Sequence, residues 1–551
     1  MSQKSFNLID SPWMPCPGIG AASLSDVFRR KNVLALGGSP IQKIVMMKFL
    51  LAIAQSACPM ADDEEWLDTS VDQIADRCME YLESRRSLFD LYGDRPFLQV
   101  PEIAKGGKVS YGTSAPEVAH AGGSSPVLTR SQIEKPLSDE EKALWLLTTC
   151  GAAMGGKQAE HFKVAAGLVR KEDLKKELAD ARNDDDEIDG NGMEKRKGFP
   201  TPLPGRILGG SGYLHSFYQG DTLQDSIKMN LLTTEEIHGL GYEFGLGVAP
   251  WDAMPTSPDC VVADRLKGSL MGALLPMSRF CFLVDDQKVH YSDGLKHDHV
   301  LIDPSTARIR KGNGSVHILE TRPNERAWQS FPALMSFLSA KNQPSNECYQ
   351  LSKPFARITK RGYPKVGVWS GGLQVSSTMG EQLVNGRSDY SESFATLECN
   401  WIDNVLDNPW FDQVEKEVWL LEKLHDTLSR SIKGYYATAG VRPTAKGKNP
   451  IADGHAAQAG MVFWTYCGVC SQALYAACVS YKNHGDKEPL CALRVKIGNE
   501  VKKIYTKACS NGTGRQIEGW VKNMPNISGY LDDSDESLTG KKSKKEKVHA
   551  E

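Results

Sequence analysis

At 551 residues, with 40% hydrophobic and 24% charged residues, the chain carries enough apolar surface to fold and too much length for one core. A formal net charge of −3 excludes a protein that coats nucleic acid by bulk positive charge, because that mode needs many Lys and Arg to displace counterions. Thirteen scattered cysteines fit free thiols, and the most apolar run, Ile44 to Ala57, is broken by Lys48 and Gln55, so a cytoplasmic protein without disulfides or membrane span is expected.

In chain order, Phe6 to Trp13 reads as a short strand stopped by Pro12. Apolar residues at helical spacing predict a helix over Pro40 to Ala57, with Pro40 suited to its first turn, and a second over Val71 to Tyr81. Pro101 to Asp139 is rich in Gly, Ser, Pro and Thr and predicts a long loop. Glu140 to Cys150 restores a helix that runs into the turn Gly155-Gly156-Lys157. Residues 171 to 197 are mostly charged and suggest an exposed insertion, within an insert near 165–198.

From Ile207 to Ser330, short apolar runs such as Phe280 to Val284 and Val300 to Ile302 predict strands. After Asn400 the pattern changes to long helices, over Val405 to Leu428 or beyond, Gly454 to Lys482 and Cys491 to Lys507, with a shorter final segment. The expected fold is α+β: a large mixed domain over 1–398, a C-terminal helical (four-helix) bundle over 399–530, and a disordered tail over 531–551.

Four features invite a chemical reading. Paired glycines beside a lysine at Gly155-Gly156-Lys157 let a backbone approach a phosphate, and a helix C-cap explains them as well. Cys467 and Cys470, with Cys478 and Cys491, have the residue type for zinc, but they sit in an apolar helical stretch where cysteine is a small core residue. His297-Asp298-His299 resembles a fragment of a metal phosphohydrolase site, without partners at suitable spacing. Lysines and arginines cluster at Lys353 to Lys365 and at Arg308, Arg310 and Lys311, where a solvated face is the simpler reading. No nucleotide-binding, kinase or hydrolase signature accompanies them.

Taken in order, several blocks resemble the CasA family, the large subunit of Cascade, the type I-E CRISPR surveillance complex. They are Phe6 to Trp13, Leu24 to Phe28, Pro40 to Ala57, Leu88 to Gln99, the helix running into Gly155-Gly156-Lys157, Gly209-Gly210 with Gly220 to Leu223 and Asn230 to Leu232, and Gly294 to Pro304. The resemblance implies a non-catalytic subunit, without cofactor or metal, that tests a short motif beside the target in double-stranded DNA. It also implies help in opening the duplex for the guide RNA and recruitment of a helicase-nuclease. Implied partners are the other guide-RNA-containing Cascade subunits (backbone, small and handle-binding), and target DNA.

By the same resemblance, Gly155, Gly156 and Lys157 form a DNA-facing glycine loop, Lys288 is the DNA-facing lysine, and a wedge falls between Trp369 and Met379 with Gln374 as its glutamine. The segment Gly371 to Ser377 lacks the asparagine-rich tip of some members. The alternatives from other classes are a metal-dependent phosphohydrolase built on His297, Asp298 and His299, and a purely structural subunit.

Overall fold

In the computed structural model the described residues are 5–105, 108–111, 136–153, 207–255, 260–283, 288–297, 303–310, 315–321, 326–339, 347–378, 381–383, 389–402, 408–441 and 449–531. The chain divides into two compact units. The first comprises Met1–Pro323, Ala333–Met335 and Gln343–Cys399; the second comprises Asn324–Pro332, Ser336–Asn342 and Asn400–Glu551. The fold is the expected α+β, with a helical C-terminal region.

The chain opens on a turn where a strand was expected. Asn7 forms an isolated bridge to Asp90, its Oδ1 accepts the Ile9 N–H at 3.0 Å, and the Ser11 N–H donates to Asn7 O at 2.9 Å. Local side-chain bonding satisfies this backbone and competes with strand pairing. The first ladder comes later, β1 (Met14–Cys16) against β2 (Gly20–Ala22).

Four helices follow: α1 (Leu24–Arg29), α2 (Pro40–Ala57), α3 (Asp63–Asp68) and α4 (Val71–Ser84), the last running past the predicted Tyr81. The bounds of α2 are those predicted, because Ser39 and Gln42 form a reciprocal capping box and Pro40 occupies the first turn. Its two polar interruptions are core cross-links. Buried Lys48 pairs with Asp303 and donates to Ala273 O at 3.0 Å, while Gln55 donates to Leu232 O at 3.0 Å and accepts the Leu232 N–H at 2.7 Å. Burying these groups is tolerated because each finds a partner.

Within the stretch predicted as a loop, the chain forms β3 (Lys108–Tyr111); residues 112–135 lie outside the described residues. Next come α5 (Asp139–Gly151), β4 (His215–Gln219), α6 (Leu223–Met229), α7 (Thr234–Gly239), α8 (Val261–Lys267) and α9 (Leu270–Leu274). Strands β5 (Arg279–Leu283) and β6 (Lys288–Asp293) build the sheet β3-β6-β5, and β7 (Ala307–Arg310), β8 (Val316–Ile318) and β9 (Glu347–Cys348) build β8-β7-β9. The predicted strand Val300 to Ile302 lies outside the described residues.

Helix α10 (Tyr349–Arg361) leads into β10 (Lys365–Leu373), the short strands β11 (Ser376–Thr378) and β12 (Glu381–Leu383), and β13 (Tyr390–Glu398). In the antiparallel sheet β13-β10-β4 the central strand is buried over eight of nine residues, from Val366 to Leu373.

The second unit is built on α11 (Pro409–Thr438), which runs beyond Leu428 as expected, and on α12 (Pro450–His484) and α13 (Glu488–Ala508), both longer than the periodicity predicted, with the shorter α14 (Gly514–Lys522) and α15 (Ser528–Leu531) completing the bundle. Phe331 stacks on Tyr475 with ring centroids 4.6 Å apart, and Glu417 and Arg494 pair inside the bundle. By length and composition α12 could cross a membrane, yet Phe463, Trp464, Leu474 and Tyr475 are buried within the helical unit.

Candidate nucleic-acid interface

The longest ladder of the first unit positions the hairpin. β10 and β13 pair without interruption from Lys365↔Glu398 to Leu373↔Tyr390, and β4 covers the other edge from Gly367↔Gln219 to Gly371↔His215. Beyond Leu373 the strands hand over to a second ladder. The Gln374 N–H donates to Asp389 O at 2.9 Å and the Val375 N–H to Ser211 O at 3.0 Å; then β11 and β12 pair as Ser376↔Leu383, Ser377↔Gln382 and Thr378↔Glu381. Residues 379–380, which join these two strands, lie outside the described residues.

The hairpin base rests on a turn that only glycine fits. Gly212 has φ +97°, and an added Cβ would sit 1.9 Å from Leu373 O. Its carbonyl accepts the Thr321 N–H at 2.7 Å and the Thr321 hydroxyl at 2.8 Å.

Opposite Gly371 in the same sheet, His215 of β4 belongs to a buried polar chain. Lys48 pairs with Asp303, and the Ser305 hydroxyl lies 2.8 Å from both Asp303 Oδ1 and His215 Nδ1. His215 Nε2 lies 2.8 Å from Ile207 O, a pure acceptor, so this nitrogen carries the hydrogen of the neutral ring. Burial, reinforced by the nearby Lys48 ammonium, lowers the His215 pKa to about 4.

The residues singled out from sequence fall in different places. Gly155, Gly156, Lys157 and the insertion near 165–198 lie outside the described residues, as does the tail over 532–551. Lys288 opens β6 opposite Tyr111, and its side chain is not described. Gln374 is half-buried at the hairpin base, held by its own N–H. The hairpin continues past the predicted limit of Met379 to Leu383, so a second glutamine, Gln382, belongs to it. No sequence signal separated these two glutamines, because strand alternation restarts after the break at Gln374.

The metal readings gain nothing. Buried His297 uses Nε2 to donate to Pro276 O at 2.6 Å, and Asp298 and His299 lie outside the described residues. Cys467 and Cys478 are buried in α12 eleven residues apart, about 16 Å along a helix, while Cys491 is exposed on α13. Among the described residues no group of three or more His, Cys, Asp or Glu could hold a metal ion. In the basic cluster Lys353 to Lys365, Arg357 is buried against Glu236 rather than exposed, a correction to the solvated-face expectation.

Comparison with known proteins places the chain. The model for CRISPR-associated protein Cse1 matches residues 7–504. The curated CRISPR-associated protein CasA/Cse1 of Thermus thermophilus is 30% identical over 151 residues, a stretch covering 25% of this chain and 28% of that relative's length. The crystal structure of Thermus thermophilus CasA superposes with a TM-score of 0.66 at 15% identity, covering 96% of this chain and 99% of that one. A chain of a CRISPR RNA-guided surveillance complex superposes with a TM-score of 0.60 at 15% identity, covering 96% and 100%. At such identities the structural likeness shows the fold, while the family match spans most of the chain: it belongs to the Cse1 family of CRISPR-associated proteins.

Proposed function

We propose that this chain is the large, non-catalytic subunit of a cytoplasmic CRISPR RNA-guided surveillance complex, where it tests a short motif in double-stranded DNA and helps open the duplex for guide pairing. The observation that carries the reading is the β11–β12 hairpin set on the end of the long β10–β13 ladder in a chain of the Cse1 family. A rigid ladder ending in a two-stranded hairpin is a fitting mount for a wedge, since prying apart a base step costs a few kcal/mol and needs a stiff lever. The minor groove offers chiefly A·T-versus-G·C information, so a wedge with one loop and one lysine can check a few base pairs without a recognition helix.

In this reading Gly155, Gly156 and Lys157 form the loop against DNA, Lys288 supplies the lysine, and Gln374 or Gln382 acts within the wedge. The partners are the backbone, small and handle-binding subunits on their guide RNA, the target duplex, and a helicase-nuclease. The near-neutral net charge fits a subunit whose partners supply most of the phosphate affinity. Gel shifts of the guide-loaded complex, with and without this chain, across a library of flanking motifs test it. Motif-dependent binding that requires the chain and is weakened by Gly156→Asp is expected; binding that ignores the motif overturns the reading.

A further inference from the structure

A second feature of the same sheet points to a ligand of its own. Phe217, Trp369 and Phe394 stand in register across β4, β10 and β13, with Phe217 and Trp369 stacked at 6.2 Å and 26°. The rings lie down on the strands because their neighbours are glycines: a Cβ at Gly371 would meet the Trp369 ring at 2.6 Å, and one at Gly367 the Phe394 ring at 2.5 Å. Trp369 and Phe394 thus lie against the strand backbone above these two glycines. Phe394 is 51% exposed, whereas Phe217 is 2% exposed.

The row lines a cavity of about 290 Å³ between the sheet and α2, lined also by Leu36 and Met47. Its size falls near the lower end of small-molecule pockets and suits one planar heterocycle. Polar groups gather at one side. Glu392 Oε1 accepts the Trp369 indole N–H at 2.8 Å and pairs with Lys43 on α2, and among the described residues Glu392 Oε2 makes no hydrogen bond. Gln219 also lines the cavity.

We infer that this cavity binds a guanine base, stacked on Phe394 and Trp369 with its Watson–Crick edge toward Glu392 and Lys43. Aromatic faces accept any base, so selectivity lies in the polar edge. Guanine presents adjacent N1–H and N2–H donors followed by the O6 acceptor, which matches a carboxylate beside an ammonium. Adenine and cytosine each turn a ring-nitrogen acceptor toward the carboxylate and thymine flanks its one donor with carbonyls, leaving charge facing lone pairs. The inference is independent of the motif-reading proposal, because it concerns a single unpaired base, from a free nucleotide or from a single strand.

Calorimetric titration of the full chain with GMP, AMP, CMP and TMP, and fluorescence anisotropy with a labelled thymidine ten-mer carrying one central dG or none, separate the two sources. GMP binding above the other three assigns a free nucleotide; dG-dependent binding that GMP does not displace assigns a strand. In the arm that binds, Phe394→Ala weakens affinity on the order of tenfold, the loss of one stacking face. Glu392→Gln and Lys43→Gln abolish the guanine preference, and two substitutions guard against a fold defect in either, read by thermal melting. No guanine preference in either arm, or a preference that survives both substitutions, overturns the inference.

Discussion

Arg357 on α10 grips Glu236 on α7 through two parallel hydrogen bonds, Nη1 to Oε1 at 2.6 Å and Nη2 to Oε2 at 3.0 Å. The guanidinium is 1% exposed and also donates to Leu231 O at 2.7 Å and Asp63 Oδ1 at 2.9 Å. Removing one member strands the other charge with little solvent. Arg357→Ala is expected to lower the stability of the first unit by about 3–5 kcal/mol in urea titration. Arg357→Lys recovers only part of it, since a lysine cannot reproduce the fork. A loss below about 1 kcal/mol would mean that the pair is solvated in solution.

The second unit contains its own buried pair. Glu417 is fully buried, Arg494 is 3% exposed, the Arg494 Nε–H donates to Glu417 Oε2 at 3.0 Å, and Gln413 donates to Glu417 Oε1 at 2.7 Å. Glu417→Leu leaves a guanidinium without its counter-charge and is expected to cost about 3–5 kcal/mol, whereas the double change Glu417→Leu with Arg494→Leu restores much of it. A double-mutant cycle on thermal unfolding measures this coupling; single and double changes with equal losses would refute it.

His215 gives the fold a pH dependence with a definite sign. Its folded pKa is about 4, against 6.5 ordinarily. Between those values the unfolded chain binds a proton that the native chain refuses, so stability rises with pH across this window. The contribution is fully present above pH 6.5 and is lost as pH falls toward 4, at up to about 1.4 kcal/mol per pH unit. His215→Gln removes the titrating group, so the stability gap between wild type and variant is expected to narrow from pH 6.5 to pH 4. Parallel curves across that range contradict the assignment.

These three predictions also mark where the sequence was legible. The span of α2 was readable because Ser39, Pro40 and the apolar repeat all act locally. What Lys48 and Gln55 do was not, because their partners Asp303 and Leu232 are 255 and 177 residues away. Arg357 read as one of a basic surface run for the same reason, its acceptors lying on α3 and α7. The opening strand failed at Asn7, whose side chain bonds the backbone two residues on. The family blocks were legible because their order along the chain carries information that no single turn such as Gly155-Gly156 carries alone. The aromatic row was invisible, since Phe217, Trp369 and Phe394 meet only through strand register.

Strand register likewise separates the two candidate wedge residues. Gln374 is half-buried where the β10–β13 ladder ends, and its N–H is committed to Asp389 O. Gln382 sits on β12 opposite Ser377, one pair from the end of the hairpin. A side chain that enters between base pairs must stand near the tip of its lever, so under the proposed function the strand position of Gln382 suits that role better than that of Gln374 at the hairpin base. Gln382→Ala is therefore expected to shrink the permanganate-reactive bubble in target DNA several-fold while leaving motif-dependent docking within about twofold. Gln374→Ala, which retains the backbone N–H, is expected to change the bubble less. The reverse order would assign the wedge to Gln374 and make the β11–β12 hairpin its support. Gly212→Ala provides an independent check: a Cβ 1.9 Å from Leu373 O must displace the hairpin base, so strand opening falls even though both glutamines remain.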